Sequence, residues 1–306
     1  MYWTSLITFL FLSLQSAPQK PELLEDWWQV AGNPDLGPLT SPEQQPVDFG
    51  IWRAADGTWQ LWSCIRKTKE AGKTRLFFGW EGQDLNGQDW SPKGIQMRGD
   101  TLLGEEAGGM QAPYVKVIDH TYKMFYGDWN HICLAESMDG KQFTRVVKKN
   151  GTAALFGDPQ ETNTRDAMVI KTEEHWICYY VAHPNNDGAI YARTSTDLKE
   201  WSDSKIVSYG GHVGKGKLWQ AECPFVIQKG NDYFLFRTEM YGKNNKTNIY
   251  RSPNPLDFGI DDDRYFIGSI PVAAPEIFEY KDQWYIACLM PALDGIRIGR
   301  LNWVNE

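Results

Sequence analysis

Five times in 306 residues the chain repeats one local plan, at a spacing of roughly 55 residues. A short apolar strand runs into a polar turn, and a second, aromatic-rich strand follows. The copies lie at 47–62, 112–126, 166–180, 222–236 and 275–288, and each carries the alternation and turn residues of a β-hairpin. Three of them lead into a third strand that ends on small or acidic turn residues and a bulky aromatic, at Phe143, Trp201 and Phe258. No stretch sustains the 3.6-residue apolar period of a long helix. A repeat of this size predicts radial four-stranded sheets, each burying both faces against its neighbours, so the expected fold is all-β: a five-bladed β-propeller over 47–306.

Composition agrees with that plan. Trp, Tyr and Phe occur 14 times each and suit pleated strands, while 28 Gly and 16 Pro suit many turns. A net charge of −8, with basic residues scattered rather than clustered, argues against nucleic acid as a partner. The apolar run Leu6–Leu14, followed by Ser16 and Ala17, reads as a secretory signal peptide over 1–17, which predicts a secreted or periplasmic protein with no membrane span after its removal. Residues 18–46 are expected to form an N-terminal extension, tethered loosely or wrapped around the propeller. The five cysteines, Cys64, Cys133, Cys178, Cys223 and Cys288, lack any Cys-x-x-Cys spacing, so neither a metal site nor a disulfide framework is expected, and no cofactor is implied.

In a propeller the first strand of every blade lines the central channel, so residues that open those strands meet at one mouth. Asp48, Asp166 and Glu222 are read as equivalent positions of blades one, three and four. Glycosidic cleavage needs an acid to protonate the leaving oxygen and a second carboxylate as base or nucleophile, and close carboxylates raise one another's proton affinity. Gln111 and Glu276 open blades two and five and are expected to bond sugar hydroxyls. Trp52, Trp129 and Trp219 are candidate stacking platforms, and Arg237 is a candidate for reaching the funnel.

These residues resemble the five-bladed glycoside hydrolases of families 32, 43, 62, 68 and 117. Arg165-Asp166 is similar to the Arg-Asp-Pro motif of family 32, with Ala167 in place of Pro, and Glu222-Cys223-Pro224 is similar to its Glu-Cys-Pro motif. The resemblance implies a glycosidase in which Asp48 is nucleophile or base, Asp166 stabilises the transition state, Glu222 donates the proton and Arg165 holds sugar hydroxyls. Family 32 retains anomeric configuration and family 43 inverts it, so the stereochemistry stays open. The expected substrate is a plant or algal oligo- or polysaccharide attacked from its end. Rival readings are a transferase or phosphorylase on the same scaffold and a non-catalytic carbohydrate-binding propeller. Basic residues near Glu222 would favour phosphate, and along the chain only Lys215 and Lys217 are close.

Overall fold

Each repeat folds as one blade in a computed structural model that describes residues 19–216 and 220–305. Blade one is β2 (Gln45–Arg53), β3 (Trp59–Arg66), β4 (Leu76–Gly82) and β5 (Ser91–Met97). Blade two is β6 (Gln111–Ile118), β7 (Thr121–Gly127) and β8 (Ile132–Ser137), whose outer edge pairs with β9 (Thr144–Arg145) and β10 (Ala154–Phe156). Blade three is β11 (Arg165–Lys171), β12 (Trp176–Ala182), β13 (Ala189–Ser195) and β14 (Lys205–Ser208). Blade four is β15 (Glu222–Lys229), β16 (Asp232–Met240), β17 (Lys246–Ser252) and β18 (Phe266–Ile270). Blade five is β19 (Glu276–Tyr280), β20 (Gln283–Leu289), β21 (Gly295–Asn305) and β1 (Gln19–Gly32). The pairing is antiparallel throughout, and the inner strands β2, β6, β11, β15 and β19 touch in sequence and close into a ring.

Blade five corrects one expectation. Its outermost strand comes from residues 19–32, within the segment read as an extension, and pairs with β21 from Gln19 opposite Asn305 to Gly32 opposite Gly295. The pairing gives the exposed edge of β21 a partner from the other end of the chain. Trp28 then ties the seam to blade one by donating its indole N–H to the Leu85 carbonyl at 2.9 Å. The expected signal peptide, 1–17, lies outside the described residues. Among the described residues no helix is long and apolar enough to cross a membrane.

Middle strands such as β12, with the sequence Trp-Ile-Cys-Tyr-Tyr-Val-Ala, are apolar on both faces because each blade is covered on both sides, and the core lies between blades. Trp52 belongs to this packing. It is buried between blades one and two, edge-on to Trp62 and Phe143, with its N–H given to the Gly140 carbonyl at 2.7 Å. It is therefore not a stacking platform at the mouth.

The inner strands share a local distortion that builds the channel. Asp48, Ala112, Asp166, Cys223 and Ala274 all have positive φ, between 34° and 58°. In blades one to four this residue interrupts the register between the first two strands. Such a bulge re-aims the side chain it carries. At Gly50 a Cβ would lie 2.4 Å from the Pro113 carbonyl oxygen, so only glycine lets blades one and two approach this closely beneath the mouth.

Candidate active site

The bulge position corrects the equivalence read from the sequence. Asp48 and Asp166 occupy it, together with Ala112, Cys223 and Ala274. Glu222 stands one residue earlier, in the place held by Val47, Gln111, Arg165 and Ala273. Proline follows the bulge in blades two, four and five, at Pro113, Pro224 and Pro275. Aligning the repeats on those prolines would have revealed the true register.

The ring nevertheless brings the acids together. Carboxylate oxygens of Asp48 and Asp166 and the sulfur of Cys223 lie within 4.8 Å of one another. Asp48 Oδ1 accepts from the Tyr241 hydroxyl at 2.9 Å and from the Cys223 thiol at 3.2 Å, and Asp166 Oδ2 accepts from the Cys223 backbone N–H at 2.9 Å. Glu222 is held from the neighbouring blade. Arg165 Nη2 donates to both of its carboxylate oxygens, at 2.8 and 2.6 Å, while Nη1 reaches the Asn163 carbonyl and His183 Nδ1, each at 2.9 Å. Arg165 Nε also approaches Asp166 Oδ2 at 3.7 Å, so one guanidinium serves two acids. At Gly127 a Cβ would sit 2.9 Å from Arg165 Cα, so only glycine lets blades two and three approach this closely.

Burial dominates the protonation of this cluster. It pushes Asp166 up to about 7, with Arg165 opposing and the charges of Asp48 and Glu222 reinforcing the rise. Burial also raises Glu222, against the pull of Arg165. Two carboxyl groups are thus able to carry protons at pH values where ordinary carboxylates do not.

A stability prediction follows from the raised value. An acid whose folded pKa lies above its unfolded value binds more protons in the native state, so stability falls as pH rises from about 4 to about 7, by at most about 1.4 kcal/mol per pH unit. Asp166→Asn removes that penalty. Its Tm, measured against the native chain, is expected to gain as pH is taken from 5 to 8, and a constant offset across that window would contradict the assignment.

Beside the acids a narrow cavity of about 30 Å³ is lined by Asp48, Asp166, Cys223, Tyr114, Phe225 and Glu276 among others. Glu276 opens blade five and lines this cavity, and burial pushes its carboxyl well above the usual carboxylate range. Gln111 is fully buried and donates to Asn163 Oδ1 at 3.1 Å. Its own Oε1 and Asp166 Oδ1 are buried acceptors with no protein donor. Each such group costs about 1–3 kcal/mol while unsatisfied, and a ligand rich in hydroxyls is the natural donor.

The remaining sequence candidates separate. Trp129 stands at the rim, where its backbone pairs with Thr164, the neighbour of Arg165. Arg237 is buried between blades three and four, donating to the Gln220 carbonyl and to Ser208 Oγ, and does not reach the channel, because the side chain is drawn to unpaired acceptors in the blade interface. Trp219 lies outside the described residues. Tyr241 and Asn163 were missed. Tyr241 follows Glu222 by 19 residues, at the end of β16, and nothing in the local sequence marks it.

Residues 70–286 match the model of the glycosyl hydrolases family 32 N-terminal domain. The chain belongs to glycosyl hydrolase family 32. It is a glycosidase. No curated protein matches this family 32 chain. Among solved structures it is similar to a thermostable family 43 glycoside hydrolase, at 16% identity and a TM-score of 0.61 over 86% of this chain and 90% of the other. It is also similar to the Bombyx mori family 32 β-fructofuranosidase, at 16% identity and 0.58 over 90% of this chain and 61% of that one. The catalytic domain of the Coprinopsis cinerea family 62 α-L-arabinofuranosidase gives 12% identity and 0.60 over 90% and 96%. At these identities the likeness speaks for the five-bladed fold alone.

Proposed function

We propose that this family 32 chain removes single sugar units from the end of an oligo- or polysaccharide of plant or algal origin, with Asp48 as nucleophile or base, Glu222 as proton donor and Asp166 as the group that binds and stabilises the reacting ring. The observation that carries this reading is the convergence of Asp48, Asp166 and Glu222 at one end of the central channel, each held by a named partner: Tyr241 on Asp48, the Cys223 N–H on Asp166 and Arg165 on Glu222. Glu222, raised by burial, holds the proton that the leaving oxygen needs, and Arg165 receives the carboxylate once the proton has left. Asp48, steadied by Tyr241, faces the developing positive charge at the anomeric carbon. Direct attack by Asp48 retains configuration and activation of water inverts it, so the anomer released distinguishes the two. The apolar run Leu6–Leu14 supports a secretory route to such a substrate.

The experiment is product analysis on a panel of β-fructosides, α-L-arabinofuranosides, β-xylosides and galactosides, with β-fructosides first because a family 32 β-fructofuranosidase shares the fold. Monosaccharide released one unit at a time is expected. Internal fragments as the first products would sink the exo assignment.

A further inference from the structure

At the rim of the mouth two cations face one aromatic ring. Lys73 Nζ and the Arg75 guanidinium each lie 4.9 Å from the centre of the Trp129 ring. Lys73 is in the loop between β3 and β4, and Arg75 is fastened to the threshold of blade two by its bridge to Gly109. Among the described residues neither pairs with a carboxylate, in a chain whose net charge is −8. Two like charges close to one ring repel each other, and the ring's attraction, about 0.5–1 kcal/mol per cation at an exposed site, only partly offsets this. Trp129 itself is held at φ 88°, a costly conformation for a bulky residue, by its pairing with Thr164. Strain of this kind belongs to placed residues, and what it places is a ring beside Thr164, the neighbour of Arg165. Arg75 is close enough for its charge to lower the proton affinity of Glu222, and stacking occupies the guanidinium face while leaving its N–H edge free.

We propose that Lys73, Arg75 and Trp129 form a subsite for a sugar bearing an anionic substituent, a carboxylate or sulfate ester, with the anion on the two cations and the ring face against Trp129. The inference rests on the sugar-binding reading of the mouth and adds a charge preference that nothing in the three acids requires. No bond changes at this subsite.

The test is binding, measured without turnover, so that it stands apart from the hydrolysis reading. Indole fluorescence and calorimetry compare glucuronic acid with glucose and galactose 6-sulfate with galactose, on the native chain, on Lys73→Ala and on the double variant Lys73→Ala/Arg75→Gln. Lys73 is exposed, so its single variant is expected to fold normally. The anionic sugar is expected to bind at least about tenfold more tightly than its neutral partner. That margin should shrink in Lys73→Ala, vanish in the double variant, and fall with added salt. Equal affinity for charged and neutral sugars overturns the proposal, as does a preference that survives in the double variant or the absence of any binding by the anionic sugars. Inorganic phosphate binding more tightly than either anionic sugar overturns it in favour of a free-anion site.

Discussion

Asp48→Asn is expected to lower kcat/KM by about a thousandfold on whichever glycoside the chain accepts, with Tm nearly unchanged; Glu222→Gln is expected to lower it as much and also to cost stability, because buried Arg165 loses its carboxylate partner. The isosteric amide keeps the shape and the contacts with Tyr241 and Cys223 but cannot attack the anomeric carbon or draw a proton from water. Glu222→Gln cannot give a proton to the leaving oxygen, so its defect should be smallest on substrates with good leaving groups such as aryl glycosides. Asp48→Asn should not show that relief. Equal activity of either variant and the native chain would remove that acid from the mechanism, while a parallel loss of Tm in Asp48→Asn would show that Asp48 serves folding.

Arg165→Gln is expected to cost both activity and stability. The guanidinium is buried, forks onto both oxygens of Glu222 and lies beside Asp166, so its loss leaves two buried acids without their cation. Breaking a buried pair from one side costs about 3–5 kcal/mol. The pH dependence has a definite sign. Arg165 pulls both acids down against the effect of burial, so the variant's Glu222 and Asp166 rise further in pKa. Above those raised values the variant holds bare buried charge, and below them both acids are protonated and neutral. The Tm deficit should therefore be largest at alkaline pH and shrink toward pH 4. A deficit independent of pH would mean that Arg165 acts through packing alone.

Much of this is legible in the sequence. The fivefold repeat determined the propeller, because a hairpin of apolar strands cannot bury both faces alone and must stack on copies of itself. Arg165-Asp166 and Glu222-Cys223-Pro224 marked the family through contiguous residues. Glu276 could be placed in the channel from the repeat alone, since first strands line it. Other features depended on contacts between blades, which no local pattern records. The seam strand 19–32 pairs with β21 only because the ring must close, so its partner lies at the far end of the chain. Trp52 and Trp129 are alike as aromatics in a blade, yet one is sealed between blades and the other stands at the rim. Tyr241 reaches Asp48 across 193 positions, Arg165 reaches Glu222 across 57, and Arg75 joins the rim from blade one. Sequence determined which residues open the inner strands, because strand order and period are local. Which acid meets which donor, and hence which carboxyl keeps its proton, was decided by closure of the ring, because burial and charge act through space.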